Sequence, residues 1–322
     1  MKQIKIDTFL LLTFVTILIS YCFPQLGNKA YKGILDNIIS IGIAFIFFFY
    51  GLKLSIEKIK TGLKNLKLHF VIQITTFVFF PLIIILFYPY FKGENYFYTW
   101  LSFLFLAALP STVSTSVVMV SIAKGNLPAA IFNASISGLI GVFITPIWMG
   151  FFILNSDVDY NLSHIYLKLI IEILIPVVLG LSLQRYFGDY VLKYVQILNK
   201  FDKSVILLII YKSFAESFEQ KIFSEVGTAY LFLVTFLCCL LFYLVYFFTG
   251  WVAEFLNFNR EDTITAQFCG TKKSLVHGTV FSKILIPATI PMGIILLPIM
   301  IFHAFQIFVI TFISERKSKE IE

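Results

Sequence analysis

Charge is what this chain has least of. Asp, Glu, Lys and Arg make up only 13% of its 322 residues, while 59% are hydrophobic and the mean hydropathy is +0.89. A soluble domain is roughly a quarter charged, so a water-soluble globular fold is excluded. Cysteine is scarce too. Cys22, Cys238, Cys239 and Cys269 have no metal-ligand spacing and lie in or beside apolar segments, where Cys acts as a small hydrophobe and stays a free thiol. The sequence has no phosphate loop, no His/Glu metal constellation and no nucleophile elbow, which argues against an enzyme and against any resident cofactor. The net charge of +7 and the pI near 9.1 do not call for nucleic acid, because basic loops facing an anionic lipid leaflet account for both.

Long apolar runs fill the chain instead. A membrane span needs roughly 20 apolar residues, and this length leaves room for about ten. Spans are predicted near 7–23, 36–53, 69–90, 97–123, 127–154, 163–186, 202–219, 227–253, 262–284 and 287–313. The first is expected to be a retained span and not a signal peptide, since Tyr21-Cys22-Phe23-Pro24 offers no small-x-small cleavage site. Between the second and third spans, Ile56, Ile59, Leu63 and Leu66 recur at helical spacing among lysines, which predicts an interfacial amphipathic helix over about 55–67. The 38 Phe and 16 Tyr suit lipid-facing and interfacial packing. Basic loops gather on one side: Lys53 to Lys67, Lys124, Arg185 to Lys203, Arg260 and both chain ends. The other side has only Lys29, Lys32, Lys92, Lys168 and Lys221. The positive-inside rule then places both termini in the cytoplasm of a multi-pass plasma-membrane protein, a bacterial inner-membrane protein.

Two stretches break helical character at bilayer depth. One is Ala107 to Ser116, around Pro110; the other is Gln267 to Ser274, around Gly270. Small, polar, helix-breaking runs survive in hydrocarbon only where they line a cavity, and a matched pair points to a transporter's binding site. Breaks in the fourth and ninth of ten spans imply two repeats of five, residues 1–156 and 157–322. Five is odd, so the repeats enter the membrane in opposite senses. The expected fold is all-α and integral to the membrane, with inverted five-helix repeats and broken, crossing fourth and ninth helices.

Pro110 removes a backbone donor, and Ser111, Thr112, Ser114, Thr115 and Ser116 then supply hydroxyls able to replace a small cation's hydration shell or hold a substrate's polar head. The same hydroxyls also suit plain helix packing in lipid. In the fifth span Asn133 and Ser137 are four apart and share a face, and a buried amide demands a partner. The ninth span carries Thr271, Lys272, Lys273, Ser274 and His277. Charged residues near a membrane midplane mark pathways by default, though either lysine can snorkel. At helical spacing Lys273 and His277 share a face; Glu172 and Glu216 are possible partners for the lysines, unless Lys212 pairs with Glu216 in its own helix. Gln73, Thr76 and Gln267 are secondary candidates. His303 and Gln306 in the tenth span read mainly as structural.

These residues resemble the sodium/bile acid cotransporter family, most closely its cotransporter 7-like branch and bacterial relatives. The likeness runs through Gly51-Leu52-Lys53-Leu54-Ser55, Leu66 to Thr75 with Phe79-Phe80-Pro81, Gly125-Asn126, Ala129 to Asn133, Ile144-Thr145-Pro146 and Phe268 to Leu275. The resemblance implies a ten-span fold with a core and a panel domain, in which the fourth and ninth spans cross at ion sites. In the sodium-coupled carriers of that family the ninth-span crossover carries a sodium-ligating Glu and, a turn later, a Gln. Aligned through Gly270 and Ser274, those positions are Phe268 and Lys272 here, while a third-span Gln ligand falls on Thr76 and a fourth-span Asn ligand near Val117. An ammonium 4 Å from a cation is repelled by on the order of 4 kcal/mol at an effective dielectric of 20. Lys272 is therefore expected to stand in for a cation, with sodium or a proton as the open choice of coupling ion. The expected function is alternating-access transport of a small, anionic molecule or an ion, the branch's link to calcium handling offering regulation of ion homeostasis as the alternative. Membrane lipids are the other expected partner; oligomeric state is not legible.

Overall fold

The computed structural model describes residues 8–27, 29–54, 65–91, 94–112, 114–153, 162–219, 227–287 and 289–320. Its helices are α1 (Thr8–Cys22), α2 (Lys29–Lys53), α3 (Leu66–Ile74), α4 (Phe80–Leu86), α5 (Glu94–Ala108), α6 (Ser114–Ile122) and α7 (Leu127–Ile153). The second half adds α8 (Leu162–Leu169), α9 (Ile175–Lys193), α10 (Val195–Glu219), α11 (Thr228–Phe255), α12 (Arg260–Thr271), α13 (Leu275–Leu285) and α14 (Met292–Lys319). No strand occurs among the described residues. Among the described residues, six stretches are long and apolar enough to cross a membrane: Gly33–Lys53, Leu66–Tyr90, Leu127–Ile153, Ile165–Gly188, Thr228–Phe255 and Met292–Lys319. Leu11–Cys22 and Tyr96–Ala108 are shorter apolar helices. Residues 55–64 of the expected amphipathic helix lie outside the described residues.

Burial is inverted relative to a soluble protein. Phe232 is 71% exposed and Phe70 and Leu18 are 64% exposed, whereas Asn133, Lys272 and Lys273 are at 0%. A surface of this kind needs lipid around it, and the protein is a multi-pass membrane protein.

Two helices pass through a wide π-turn just before a proline. Thr75–Phe79 joins α3 to α4 ahead of Pro81, and Ile170–Leu174 joins α8 to α9 ahead of Pro176. Proline lacks the N–H that would close the next turn, so it takes a donor away from the helix ladder at each site. Pro146 and Pro298, by contrast, sit inside uninterrupted helices.

The chain divides into two compact units, each drawn from both halves of the sequence: Met1–Leu54, Asn161–Thr228 and Thr279–Gly293 form one, and Ser55–Tyr160, Ala229–Gly278 and Ile294–Glu322 the other. In the first unit, α2 and α9 touch backbone to backbone at Gly51 and Gly180. A Cβ on Gly51 would overlap the Val177 carbonyl, and one on Gly180 the Phe48 carbonyl. Small residues at such crossings let membrane helices approach closely. The same unit holds a half-buried charge cluster: Lys212 and Lys283 both donate to Asp36 Oδ1, and Lys212 also pairs with Glu216 at 3.4 Å. Lys53 pairs with Asp202 at 3.0 Å. The α10 helix starts at Val195, ahead of the span expected from 202.

In the second unit three helix N-termini converge on one carboxylate. Asn65, Asn126 and Asn259 cap α3, α7 and α12 by accepting from the backbone N–H groups of Leu68, Ala129 and Asp262. The side-chain amides of Asn65 and Asn126 in turn donate to the two oxygens of Asp262 at 2.6 and 2.7 Å. The carboxylate thus fixes two caps and sits among positive helix ends. Asp262→Ala strands both amides; hydrogen bonds to charged groups contribute about 1.5–3 kcal/mol each, so a clear fall in the melting temperature of the purified protein is expected, with Asp262→Asn intermediate. An Asp262→Ala protein that melts with the wild type would refute this role.

Candidate ion and substrate site at the paired helix breaks

The end of α5 leaves carbonyls that Pro110 and the turn after it cannot all satisfy along the chain. One is met by the turn itself and the others find donors elsewhere in the same unit. Leu106 O accepts from Leu109 N at 3.3 Å. Ala107 O and Leu109 O accept from Lys273 Nζ at 2.6 and 2.9 Å. Ala108 O accepts from Thr145 Oγ1 at 2.8 Å, and Pro110 O from Ser274 N at 2.9 Å. Ser111 N, which would have closed on Ala107, donates to Ser137 Oγ at 3.0 Å. Gly141 of α7 lets the proline ring lie close, since a Cβ there would come within 2.9 Å of Pro110 Cγ.

The second break is satisfied in the same way. The chain leaves the helix at Lys272, with φ −79° and ψ 143°, and re-enters it at Leu275. Gly270, expected to break this span, lies inside α12, and no described glycine has positive φ. The interruption is set by the donors and acceptors that capture residues 273 and 274, not by glycine's freedom. Gln306 pairs with the Lys273 peptide on both sides: its Oε1 accepts from Lys273 N and its Nε2 donates to Lys273 O, both at 2.8 Å. Ser111 Oγ donates to Cys269 O at 2.7 Å and Thr76 Oγ1 reaches Gly270 O at 3.5 Å. Ser274 caps α13, its hydroxyl taking the His277 N–H at 3.3 Å and meeting His277 Nδ1 at 2.9 Å. Because the break falls between Lys273 and His277, they share no helical face as the spacing suggested.

The two lysines are both fully buried and differ sharply in their partners. Lys273 Nζ donates to Thr76 O at 2.8 Å as well as to Ala107 O and Leu109 O, and lies 4.1 Å from the centroid of Phe80. Lys272 Nζ makes one hydrogen bond among the described residues, to Thr115 O at 2.9 Å in the first turn of α6. Glu172 and Glu216 serve neither lysine: they pair with Lys168 at 4.0 Å and Lys212 at 3.4 Å.

Beside Lys272 the hydroxyls of the first break form a connected group. Thr112 Oγ1 and Ser116 Oγ are 2.8 Å apart, and Thr115 Oγ1 donates to Thr112 Oγ1 at 2.8 Å. The side chain of Ser114 lies outside the described residues. Thr271 bonds back to Gln267 O in its own helix, and Gln267 turns away to Tyr246 O at 3.3 Å. Asn133 forms a separate chain: its amide donates to Ala129 O at 2.9 Å and meets His69 Nδ1 at 2.8 Å, and its Oδ1 accepts from Gln73 at 3.0 Å. Phe268, in the position that the resemblance gives to a ligating Glu, is buried and offers no ligand. Sequence reading underweighted Gln306 and missed Thr145 and Trp148. The Trp148 indole donates to Phe77 O at 2.8 Å, beside the Pro81 gap. Polar side chains on otherwise apolar helices were the signal for both.

An interrupted pair of membrane helices joined through free peptide groups, with lysines buried between them, is the construction of a membrane transporter. The chain matches the SBF-like CPA transporter family over residues 7–319 and belongs to it. It is 34% identical to the uncharacterized protein PA2026 of Pseudomonas aeruginosa, over 97% of this chain and 93% of that protein. It is 33% identical to the protein named "Putative symporter YfeH" of Escherichia coli, over 100% of this chain and 96% of that one. Sodium/bile acid cotransporter 7 of Rattus norvegicus is 30% identical over 83% of this chain and 79% of its own length.

Gln306 completes the second break with two hydrogen bonds to the backbone N–H and C=O of one residue, Lys273, so its loss is more than a local vacancy. Gln306→Leu leaves a buried N–H and C=O without partners, at about 1–3 kcal/mol each. The purified variant should melt well below wild type. Equal melting of Gln306→Leu and wild type would remove Gln306 from the site.

Proposed function

We propose that this protein is a secondary active transporter of the bile acid:sodium symporter type, moving an organic anion or ion across the bacterial inner membrane by alternating access. Ten crossings arranged as two inverted five-span repeats, residues 1–156 and 157–322, with both termini cytoplasmic, complete the reading. The observation that carries it is the junction of the two interrupted helices, Ser274 N to Pro110 O at 2.9 Å, with Lys272 Nζ beside the hydroxyl group of Thr112, Thr115 and Ser116. Membrane carriers concentrate binding at such discontinuous helices, and the names of YfeH and of cotransporter 7 point the same way.

Lys272 sets the chemistry of the site. An ammonium has three donors, and one of them is engaged by Thr115 O. The others suit an anionic group, such as a carboxylate or sulfonate, that reaches the hydroxyl cluster. The same charge repels a dissolved cation at that point, so transport is sodium-independent, with proton exchange or the anion itself supplying coupling.

Uptake into proteoliposomes tests this directly, using a panel of labelled organic anions that includes bile acids. Wild-type uptake should be the same in sodium and in choline. Ser116→Ala and Lys272→Ala should lose most of the flux, whereas Lys272→Gln should acquire sodium stimulation. Sodium-dependent uptake by the wild type, or identical sodium responses of Lys272→Gln and wild type, would overturn the role of Lys272. No flux of any anion in either salt would overturn the transport reading.

A further inference from the structure

Lys273 is a fully buried charge that the proposed substrate site does not use. Its ammonium has three N–H donors, and three backbone carbonyls take them: Thr76 O at 2.8 Å, Ala107 O at 2.6 Å and Leu109 O at 2.9 Å. Those carbonyls are not ordinary ladder members. Phe80 N closes the π-turn on Thr75 O, so Thr76 O would next await the N–H of residue 81, which is a proline. Ala107 O has lost Ser111 N to Ser137, and Leu109 O lies in the break itself. The Phe80 ring closes another side of the charge, 4.1 Å away. The ion pairs among the described residues all involve other side chains. Uncharged carbonyl oxygens arranged about one positive centre are how proteins coordinate a dehydrated monovalent cation.

We infer that Lys273 is a tethered monovalent cation filling a three-carbonyl site, and that removing its side chain beyond Cβ converts the place into a binding site for a free alkylammonium ion. The costs explain why the arrangement holds together. A charge moved out of water is expensive unless its donors are all met, and so is a carbonyl left bare in a dry interior. Each solves the other's problem, and the four-carbon stem makes the cation impossible to release. The crossing of the breaks is therefore assembled without a dissolved ion. This inference concerns stability and stands whether or not the transport reading is correct.

Lys273→Ala removes three methylenes and an ammonium, the equivalent of n-propylammonium. The experiment compares melting of purified wild type, Lys273→Ala and Lys273→Met in the chlorides of choline, tetramethylammonium, sodium and n-propylammonium at equal ionic strength. Wild type should melt alike in all four. Lys273→Ala should melt far lower in choline and regain most of the loss in n-propylammonium, with no recovery in tetramethylammonium, which has no N–H to donate. Lys273→Met fills the space without the charge, so it should stay low in every salt. A Lys273→Met protein as stable as wild type, or a folded Lys273→Ala protein blind to the choice of cation, would overturn the inference. If Lys273→Ala unfolds on extraction, extraction in n-propylammonium against choline makes the same comparison: a monodisperse peak in the first alone supports the site, and failure in both overturns it.

Discussion

A peptide carbonyl that leaves its helix inside a membrane has no water to turn to, and the second unit of this protein is organised around that fact. Proline at 81 and 110 and the interruption at 272–274 release peptide groups at one place, and donors must be supplied to all of them. They come from Lys273, Thr145, Trp148, Ser274, Ser111 and Gln306, on segments far apart in sequence. The geometry is consequently all or nothing. A helix that drifts out of place leaves a bare carbonyl behind, so the breaks hold their shape by the same rule that makes them costly.

Two consecutive lysines take opposite parts because the backbone between the half-helices is extended. In extended chain, successive side chains point to opposite sides. Lys272, with ψ 143°, reaches the first turn of α6, while Lys273 reaches back to the π-turn and the end of α5. Had the helix run on through 274, the pair would have been about 100° apart on one surface, and both would have competed for the same acceptors. The break is what separates Lys273, held by three carbonyls, from Lys272, which donates to Thr115 O.

Much of this was legible from residue order. Apolar length marked the six long spans, and Pro110 with its following hydroxyls marked the first interruption, now seen between Ala108 and Ser114. Lys272 and Lys273 stood out because charge is rare in such segments. The partners were not legible. Gln306 lies 33 residues from the peptide it completes, and Ala107 lies 166 from the ammonium it accepts. Such pairings depend on helix packing, which hydropathy does not encode. Gly270 misled for a related reason: a glycine suggests a break through its conformational freedom, yet the chain leaves the helix one residue past Thr271, where outside donors and acceptors take over. The convergence of three asparagine caps on Asp262 was hidden likewise, although Asn65, Asn126 and Asn259 each occupy an ordinary N-cap position.

The placement of the fixed charge bears on where ion dependence can arise. Binding of a dissolved cation costs translational freedom each time it happens, whereas a tethered ammonium is ordered once, when the chain folds. A site filled in that way cannot empty during a transport cycle, so it contributes the same free energy to every conformation in which its three carbonyls stay together. A ligand that interacts equally with two states shifts neither. On the proposed transport reading, any ion or proton that biases the cycle acts at groups with donors or acceptors still to spare, such as Lys272 and the hydroxyls of Thr112, Thr115 and Ser116.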